Sequence, residues 1–346
     1  MYAISATNEI QLSIHGLDMT FTTNSRALSQ SVESLLRHFK SDTPTARNLV
    51  MQFEAVQRRS DIPVQIPPEA LLLHSGSGIV TGADRQATWL CDVYSDRGLL
   101  IADFHEEGLV VIDSQSLSAQ GYLVRPEEMV SDIRNSFVHF AMTELLKRRG
   151  VFTFHATALE YKGNGVLIPG FSGRGKTTSF LSLLRSGYRY LSDDHPFFRV
   201  TGNGVELLPY PLKINVTNQT ISFFPELQNA PPSVLRAGAP KRYFYAEDLY
   251  PIPLGQSCKP AIILFPSIVD SPYSCLEPLP KKSALELILP HSLLVYEPEI
   301  ARQEFKALVQ LIQQTDCYRL HFGRDVVDLP WLVNPLLDKH SIKKAS

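Results

Sequence analysis

The sequence predicts an α/β protein in two parts, a smaller N-terminal α+β domain over residues 1–125 and a larger one over 126–340. Three observations lead there. Gly165-Val-Leu-Ile-Pro169, the glycine-rich turn at 170–175 and the run from Lys176 read as strand, turn and helix. Lys162-Gly-Asn-Gly165 and Gly202-Asn-Gly204 lie between apolar runs as hairpin turns. The N-terminal part instead carries short β-like runs and one helix-spaced stretch, with no recognisable catalytic motif.

In chain order, Ile10-Gln-Leu-Ser-Ile14 alternates as a strand, and Ser25 to Phe39 places Leu28, Val32, Leu35, Leu36 and Phe39 at helical spacing. Ala70–Leu73, Thr88–Val93, Leu99–Asp103 and Leu109–Asp113 follow as short strands between Gly, Asp and Ser turns. This domain serves substrate recognition or oligomer contact, or it is plain scaffold. Pro126 opens a helix whose apolar face holds Met129, Ile133, Phe137, Phe140, Ala141 and Leu145. Its last turn, Lys147-Arg148-Arg149, reads as a complement to the helix dipole rather than an anion site. Phe152–Leu159 reads as one strand, and the helix after the glycine turn stops near Ser186 at the C-cap Gly187. Tyr188–Leu191, Phe197–Val200, Val205–Leu208, Ala261–Phe265 and Cys317–Phe322 are strands. Ala301–Gln313 is a helix, Pro330–Leu337 a short one, and residues 341–346 a frayed tail.

Composition narrows the class. The 346 residues are 44% hydrophobic and 20% charged, ordinary for a globular protein. The net charge of −2 and the absence of a basic block argue against a nucleic-acid partner. No apolar run approaches the ~18 residues of a spanning helix, so no membrane partner is expected. The N-terminus lacks a basic n-region and an apolar h-region, and the scattered Cys91, Cys258, Cys275 and Cys317 read as reduced thiols. A cytoplasmic location is the expectation.

The chemistry concentrates in Gly170-Phe-Ser-Gly-Arg-Gly-Lys176-Thr177. Glycines let backbone N–H groups curl around an anion, and the helix N-terminus adds its positive dipole end. Gly170, Ser172, Gly173, Arg174, Gly175, Lys176, Thr177 and Thr178 are the candidate phosphate-binding residues. Lys176 reaches the β- and γ-phosphates and the Thr177 hydroxyl ligates Mg²⁺; Arg174 reaches a phosphate or an acidic acceptor, or points to solvent, the last slightly preferred. His155 lies 21 residues before Lys176, on the strand expected to pair with the loop strand, and Asp193-Asp194 lies 17 and 18 residues after it. One carboxylate can hold Mg²⁺ while the other accepts the proton of an attacking hydroxyl. The bland alternatives are a structural histidine and a helix cap or turn.

His155-Ala-Thr-Ala-Leu-Glu-Tyr-Lys-Gly-Asn-Gly-Val-Leu-Ile-Pro-Gly-Phe-Ser-Gly-Arg-Gly-Lys-Thr-Thr, then Arg185-Ser-Gly-Tyr-Arg-Tyr-Leu-Ser-Asp-Asp194, resembles the catalytic core of HPr kinase/phosphorylase. The resemblance covers about 40 residues and weakens beyond them. It implies the fold shared by HPr kinase and phosphoenolpyruvate carboxykinase, with a mixed, largely antiparallel sheet. It implies ATP and Mg²⁺ as cofactors, Asp193 as general base, Asp194 as an aid to the metal, and His155 near the carboxylates and phosphates. Two features depart from the pattern. The N-terminal 125 residues do not resemble the family's usual N-terminal domain, and the family's downstream glycine- and arginine-containing signature has no counterpart here. Arg242 and Lys213 are candidates for the missing cation by chemistry only, and an ordinary surface salt bridge competes for both. The implied activity is phosphoryl transfer to a hydroxyl, serine first, on a peptide or small protein. A small-molecule hydroxyl kinase and a non-catalytic nucleotide-binding regulatory module are the alternatives. A homo-oligomer is compatible with all three.

Overall fold

The computed structural model describes residues 7–42, 49–77, 90–171, 173–232, 241–292 and 295–345. The chain divides into two compact units, Met1–Arg149 with Tyr296–Ile300, and Gly150–Val295 with Ala301–Ser346. No helix among the described residues is long and apolar enough to cross a membrane. All four cysteines are free thiols.

The first unit holds β1 (Asn8–Ile14), β2 (Leu17–Thr23), α1 (Arg26–Leu35), β3 (Leu49–Val56), β4 (Leu71–Ser77), β5 (Leu90–Asp96), β6 (Leu99–Asp103), β7 (Gly108–Asp113), β8 (Ser118–Val124) and α2 (Ser131–Lys147). Its eight strands form one sheet in the order β1-β2-β3-β8-β7-β6-β5-β4. The strand expected at Thr88–Val93 appears as β5, with Thr88 and Trp89 outside the described residues. Ser25 caps α1 by accepting the Leu28 N–H at 3.2 Å.

Two expectations for this region are corrected. The helix predicted from Pro126 begins only at Ser131. Arg134 turns its guanidinium back onto the carbonyls of Pro126 and Met129, satisfying a non-helical turn that would otherwise have joined the helix. The domain boundary expected at 125 falls at 149, because α2 groups with the first unit. Phe137, Val138, Phe140, Met142, Leu145 and Leu146 are all buried around its circumference, so α2 is a core helix with no single apolar face.

The second unit begins with β9 (Val151–Thr153), β10 (Ala156–Tyr161), β11 (Asn164–Pro169), α3 (Lys176–Arg185), β12 (Arg189–Ser192), β13 (Phe197–Thr201) and β14 (Gly204–Leu208). It continues with β15 (Ile214–Thr217), α4 (Asn218–Phe223), β16 (Lys241–Phe244), α5 (Ala246–Leu249), β17 (Lys259–Ile268), β18 (Cys275–Pro278) and α6 (Lys281–Ile288). After α7 (Pro298–Gln314) come β19 (Asp316–Phe322) and α8 (Leu329–Ala345). The main sheet has the order β12-β10-β11-β17-β19-β18. Three of its five pairings are antiparallel and two, β11 with β17 and β17 with β19, are parallel. This is the mixed sheet expected, within an α/β fold. Phe180, Leu184, Val166, Ile168, Leu264 and Leu320 join α3 and the sheet in one apolar core.

Both predicted hairpins form with two-residue loops, Lys162-Gly163 between β10 and β11 and Gly202-Asn203 between β13 and β14. Lys162 (φ 50°) and Gly163 (φ 76°) take the left-handed pair that matches strand twist. The C-terminal helix is longer than expected. Leu329, Val333 and Leu337 are buried at four-residue intervals, and His340 reaches Asp316 at 3.1 Å. These contacts carry α8 past Pro335 to Ala345, where the sequence predicted a stop near Leu337 and a frayed tail.

Candidate active site

The strand expected over Phe152–Leu159 is broken, and the break creates the site. Val151–Thr153 pairs with β13, whereas Ala156–Tyr161 pairs with β11 and β12. At the transfer between sheets, the His155 N–H donates to the His291 carbonyl at 2.7 Å, and the Ala156 N–H donates to the Asp194 carbonyl at 3.1 Å. His155 therefore stands just before β10, not within the strand.

Strand direction does the rest. β10 runs antiparallel to both β11 and β12, with Ala156 opposite Pro169 and Ala158 opposite Ser192. The start of β10 and the ends of β11 and β12 consequently share one sheet edge. That edge brings together His155, the glycine loop and Asp193-Asp194, as in other sheets where ligands gather at strand ends. The separations of 18 residues to Asp194 and 21 to His155 collapse into direct contact with Lys176.

The loop leaves β11 at Gly170 and enters α3 at Gly175, which lies at φ 91°. A side chain at Gly175 would be strained by that φ, and its Cβ would lie 3.2 Å from Phe322 Cδ1. Among the described residues no side chain caps α3, whose N-cap is Gly175. Phe171, Gly173 and Arg174 are exposed, Gly175, Thr177 and Thr178 are half-buried, and Lys176 is buried. Ser172 lies outside the described residues.

Lys176 Nζ and Asp194 Oδ1 both meet His155 Nε2, the carboxylate at 2.8 Å, and Nζ lies 3.8 Å from the same Asp194 oxygen. His195 Nε2 approaches the other Asp194 oxygen at 3.6 Å. The neighbouring Asp193 is placed differently. Its N–H donates to the Tyr190 hydroxyl at 3.2 Å, its side chain is buried, and its Oδ1 has no hydrogen-bond partner among the described residues.

These surroundings drive the two carboxylates apart. Burial, reinforced by the Asp194 charge, pushes Asp193 up to about 7, while Lys176, the Asn215 backbone N–H and Lys241 pull it down. Burial also opposes ionisation of Asp194, but His195, His155 and Lys176 hold its carboxyl well below the usual carboxylate range. Burial lowers the Lys176 ammonium from its ordinary value, against the pull of Asp194 and Asp193. His291 is buried against Phe171 and His155, with ring centroids 4.4 Å and 6.4 Å away. Burial, with His155 and Lys176 adjacent, drops it to about 4, so it is neutral at neutral pH.

The arrangement fits a phosphate chain and a divalent ion. A loop of backbone N–H groups, a buried ammonium and a Thr hydroxyl stand beside one ionised carboxylate and one orphaned carboxylate oxygen. Among the described residues, no group of three or more His, Cys, Asp and Glu side chains could hold a metal alone.

His155, Lys176, Asp193 and Asp194 thus come together, with Thr177 beside Lys176 in the first turn of α3. The two cations suggested for the missing arginine behave otherwise. Arg242 Nη1 donates to the carbonyls of Gln228 at 2.7 Å and Ala230 at 3.2 Å. The Lys213 ammonium sits 5.5 Å from the centroid of the Tyr243 ring. Sequence reading missed His195, His291 and Lys241. His195 directly follows the aspartate pair and was within reach. His291 lies 136 positions from His155, with nothing in the chain to connect them.

No family model matches the chain. It is 30% identical over 92 residues to an HPr kinase/phosphorylase of an Exiguobacterium species, covering 27% of this chain and 29% of that protein. It is 33% identical over 72 residues to the HPr kinase/phosphorylase of Lactobacillus acidophilus, covering 21% of each. The chain thus matches less than a third of the length of either curated relative. The solved Hpr(Ser) kinase/phosphatase of Coxiella burnetii covers 56% of this chain and aligns over 99% of its own length, at 13% identity and a TM-score of 0.26. Over those stretches the chain is similar to HPr kinase/phosphorylases, as a divergent relative.

Proposed function

We propose that the protein is an ATP- and Mg²⁺-dependent kinase that phosphorylates a hydroxyl, serine first, on a peptide or small protein. The observation that carries this reading is the splitting of Asp193 and Asp194 beside Lys176. Two adjacent carboxylates with opposite ionisation tendencies divide the roles of base and metal holder. The names of the curated relatives favour a small protein of the HPr type as acceptor.

Bound Mg-ATP would supply the phosphoryl group and an electrophilic phosphorus. Lys176 and the loop N–H groups would hold the phosphates, and Thr177 and Asp194 would hold the ion. His155 bridges Asp194 and Lys176, fixing both relative to the loop. Asp193 takes the proton of the acceptor hydroxyl as the new oxygen–phosphorus bond forms and the bond to the β-phosphate oxygen breaks, leaving ADP. A base near neutrality suits this task, being largely ionised at working pH yet still basic.

Incubation of the full chain with γ-labelled ATP and acceptor candidates should yield an acid-stable phosphoester on serine, lost in Asp193→Asn. Equal transfer by both proteins would remove Asp193 from the role of base. Tight Mg-ATP binding with no transfer to any peptide, protein or metabolite acceptor would favour the regulatory module instead.

A further inference from the structure

We propose that the shelf at the ends of β17 and β19, formed by Ile268 with Tyr273 beside it, receives the nucleobase of the nucleotide whose phosphates the glycine loop holds. The inference rests on the kinase reading above and deepens it by naming a second subsite for the donor. It starts from strand direction. β11, β17 and β19 run parallel, so their C-terminal ends meet at one edge of the sheet, the edge from which the glycine loop leaves. β17 outruns β11. Leu167 lies opposite Ile263, β11 stops at Pro169, and β17 continues to Ile268. A Cβ on Gly170 would lie 3.6 Å from Pro266 Cγ, and one on Gly175 3.5 Å from Ile268 Cγ1 and 3.2 Å from Phe322 Cδ1. The glycine loop therefore rests at both of its ends against a wall built by β17 and β19.

That wall ends in exposed apolar surface on a rigid support. Phe322 is buried, whereas Ile268, its partner in the strand register, is 61% exposed, and Tyr273 in the following turn is 75% exposed. The turn is sewn to the end of β19. The Ser274 N–H and hydroxyl donate to Asp325 Oδ1 at 2.8 Å and 2.5 Å, and the Ser274 hydroxyl oxygen accepts the Gly323 N–H at 2.9 Å. The Arg324 N–H donates to the Ser271 carbonyl at 3.0 Å. Gly323 is what lets the turn close, because a Cβ there would fall 2.7 Å from the Tyr273 carbonyl carbon.

Sheet order selects the occupant. In the order β12-β10-β11-β17-β19-β18, the loop strand β11 separates two flanks. His155, Asp193 and Asp194 stand on the β10 and β12 side, where Lys176 is engaged. Ile268 and Tyr273 stand on the other side. A phosphate chain whose transferred end lies at the aspartates leads its nucleoside across the loop toward β17. A nucleobase has a flat, weakly polar face that gains from apolar and aromatic contact, which the charged flank does not offer.

The test measures, by calorimetry on the full chain, affinity for Mg-ATP and for Mg-tripolyphosphate, which carries the phosphates without ribose or base. Wild type should prefer Mg-ATP by at least about 30-fold, and the double variant Ile268→Ser/Tyr273→Ala should lose about 10-fold of that preference. Ile268→Leu should keep it, and tripolyphosphate affinity should stay within about 3-fold in both variants. An unchanged preference in the double variant overturns the assignment. Equal losses for both ligands overturn it too, since the side chains would then support only the loop, and so does a wild type that binds tripolyphosphate as tightly as ATP. Binding of neither ligand by wild type removes the subsite and the phosphate loop together. Absence of transfer to every acceptor overturns the kinase reading alone, because the binding comparison needs no acceptor.

Discussion

Two buried clusters of charge, one in each unit, show how a saturated network differs from a reactive one. In the first unit Glu144 accepts from Lys147 at 2.8 Å and from Arg148 at 3.0 Å, and Arg148 also pairs with Glu297. Arg148 further donates to Ser114 at 2.9 Å and to the Glu144 carbonyl at 2.8 Å. Two acids meet two bases, and the guanidinium fork is filled. In the second unit Asp194 is surrounded by His155, His195 and Lys176, while Asp193 keeps a buried oxygen without a hydrogen-bond partner among the described residues. Desolvation is offset in the first cluster and only partly offset at Asp193 in the second. On the proposed function, this partly compensated carboxylate is the group that takes the proton. The basic end of α2 also looks different in this light, since Lys147 and Arg148 answer acidic side chains and leave no room for an anion site.

The sharpest break in the comparison comes from the second cluster. Lys176→Ala should abolish transfer and weaken Mg-ATP by about 100-fold or more, read by calorimetry. Asp193→Asn should cut transfer by roughly 1,000-fold while nucleotide affinity stays within a few-fold. Wild-type affinity in Lys176→Ala would mean that the loop is not the phosphate site.

The first cluster should respond in stability alone. Glu144→Gln leaves two buried cations short of a partner, a loss of about 3–5 kcal/mol and of roughly 10 °C in Tm for a unit of this size. Mg-ATP affinity of the folded variant should be unchanged, and a parallel loss of affinity would contradict the separation drawn between the clusters.

Asp193→Asn should move stability the opposite way. A carboxyl raised to about 7 in the folded chain and near 4 when unfolded costs stability as pH climbs from about 4 to about 7, with the full cost above that. Asp193→Asn should therefore melt up to roughly 10 °C above wild type at pH 8, with the gain shrinking toward pH 5. The same titration should appear in wild-type kcat/KM as a rising limb near pH 7, absent if Asp193 is not the base.

Much of the second unit was legible because its signals are local. The Lys162-Gly163 and Gly202-Asn203 turns, the strand before the glycine loop and the C-cap Gly187 each depend on a few neighbouring residues. The failures were cases where distant groups intervened. Arg134 pulled the Pro126 turn out of α2, and the His291 carbonyl took the His155 N–H and split an apolar run that reads as one strand. Leu329, Val333 and Leu337 carried α8 past a proline because the core beneath them outweighed local propensity.

The sequence by itself determined that a phosphate-binding turn precedes a helix, and that a histidine and two aspartates flank it at fixed separations. Glycine conformation and helix polarity are local properties, so they can be read from the chain. Only the tertiary structure decided which aspartate is ion-paired and which keeps a buried oxygen unbonded among the described residues, and that His195 and His291 stand beside His155. Burial and ion pairing depend on strand order and sheet direction, which bring together residues the chain holds far apart.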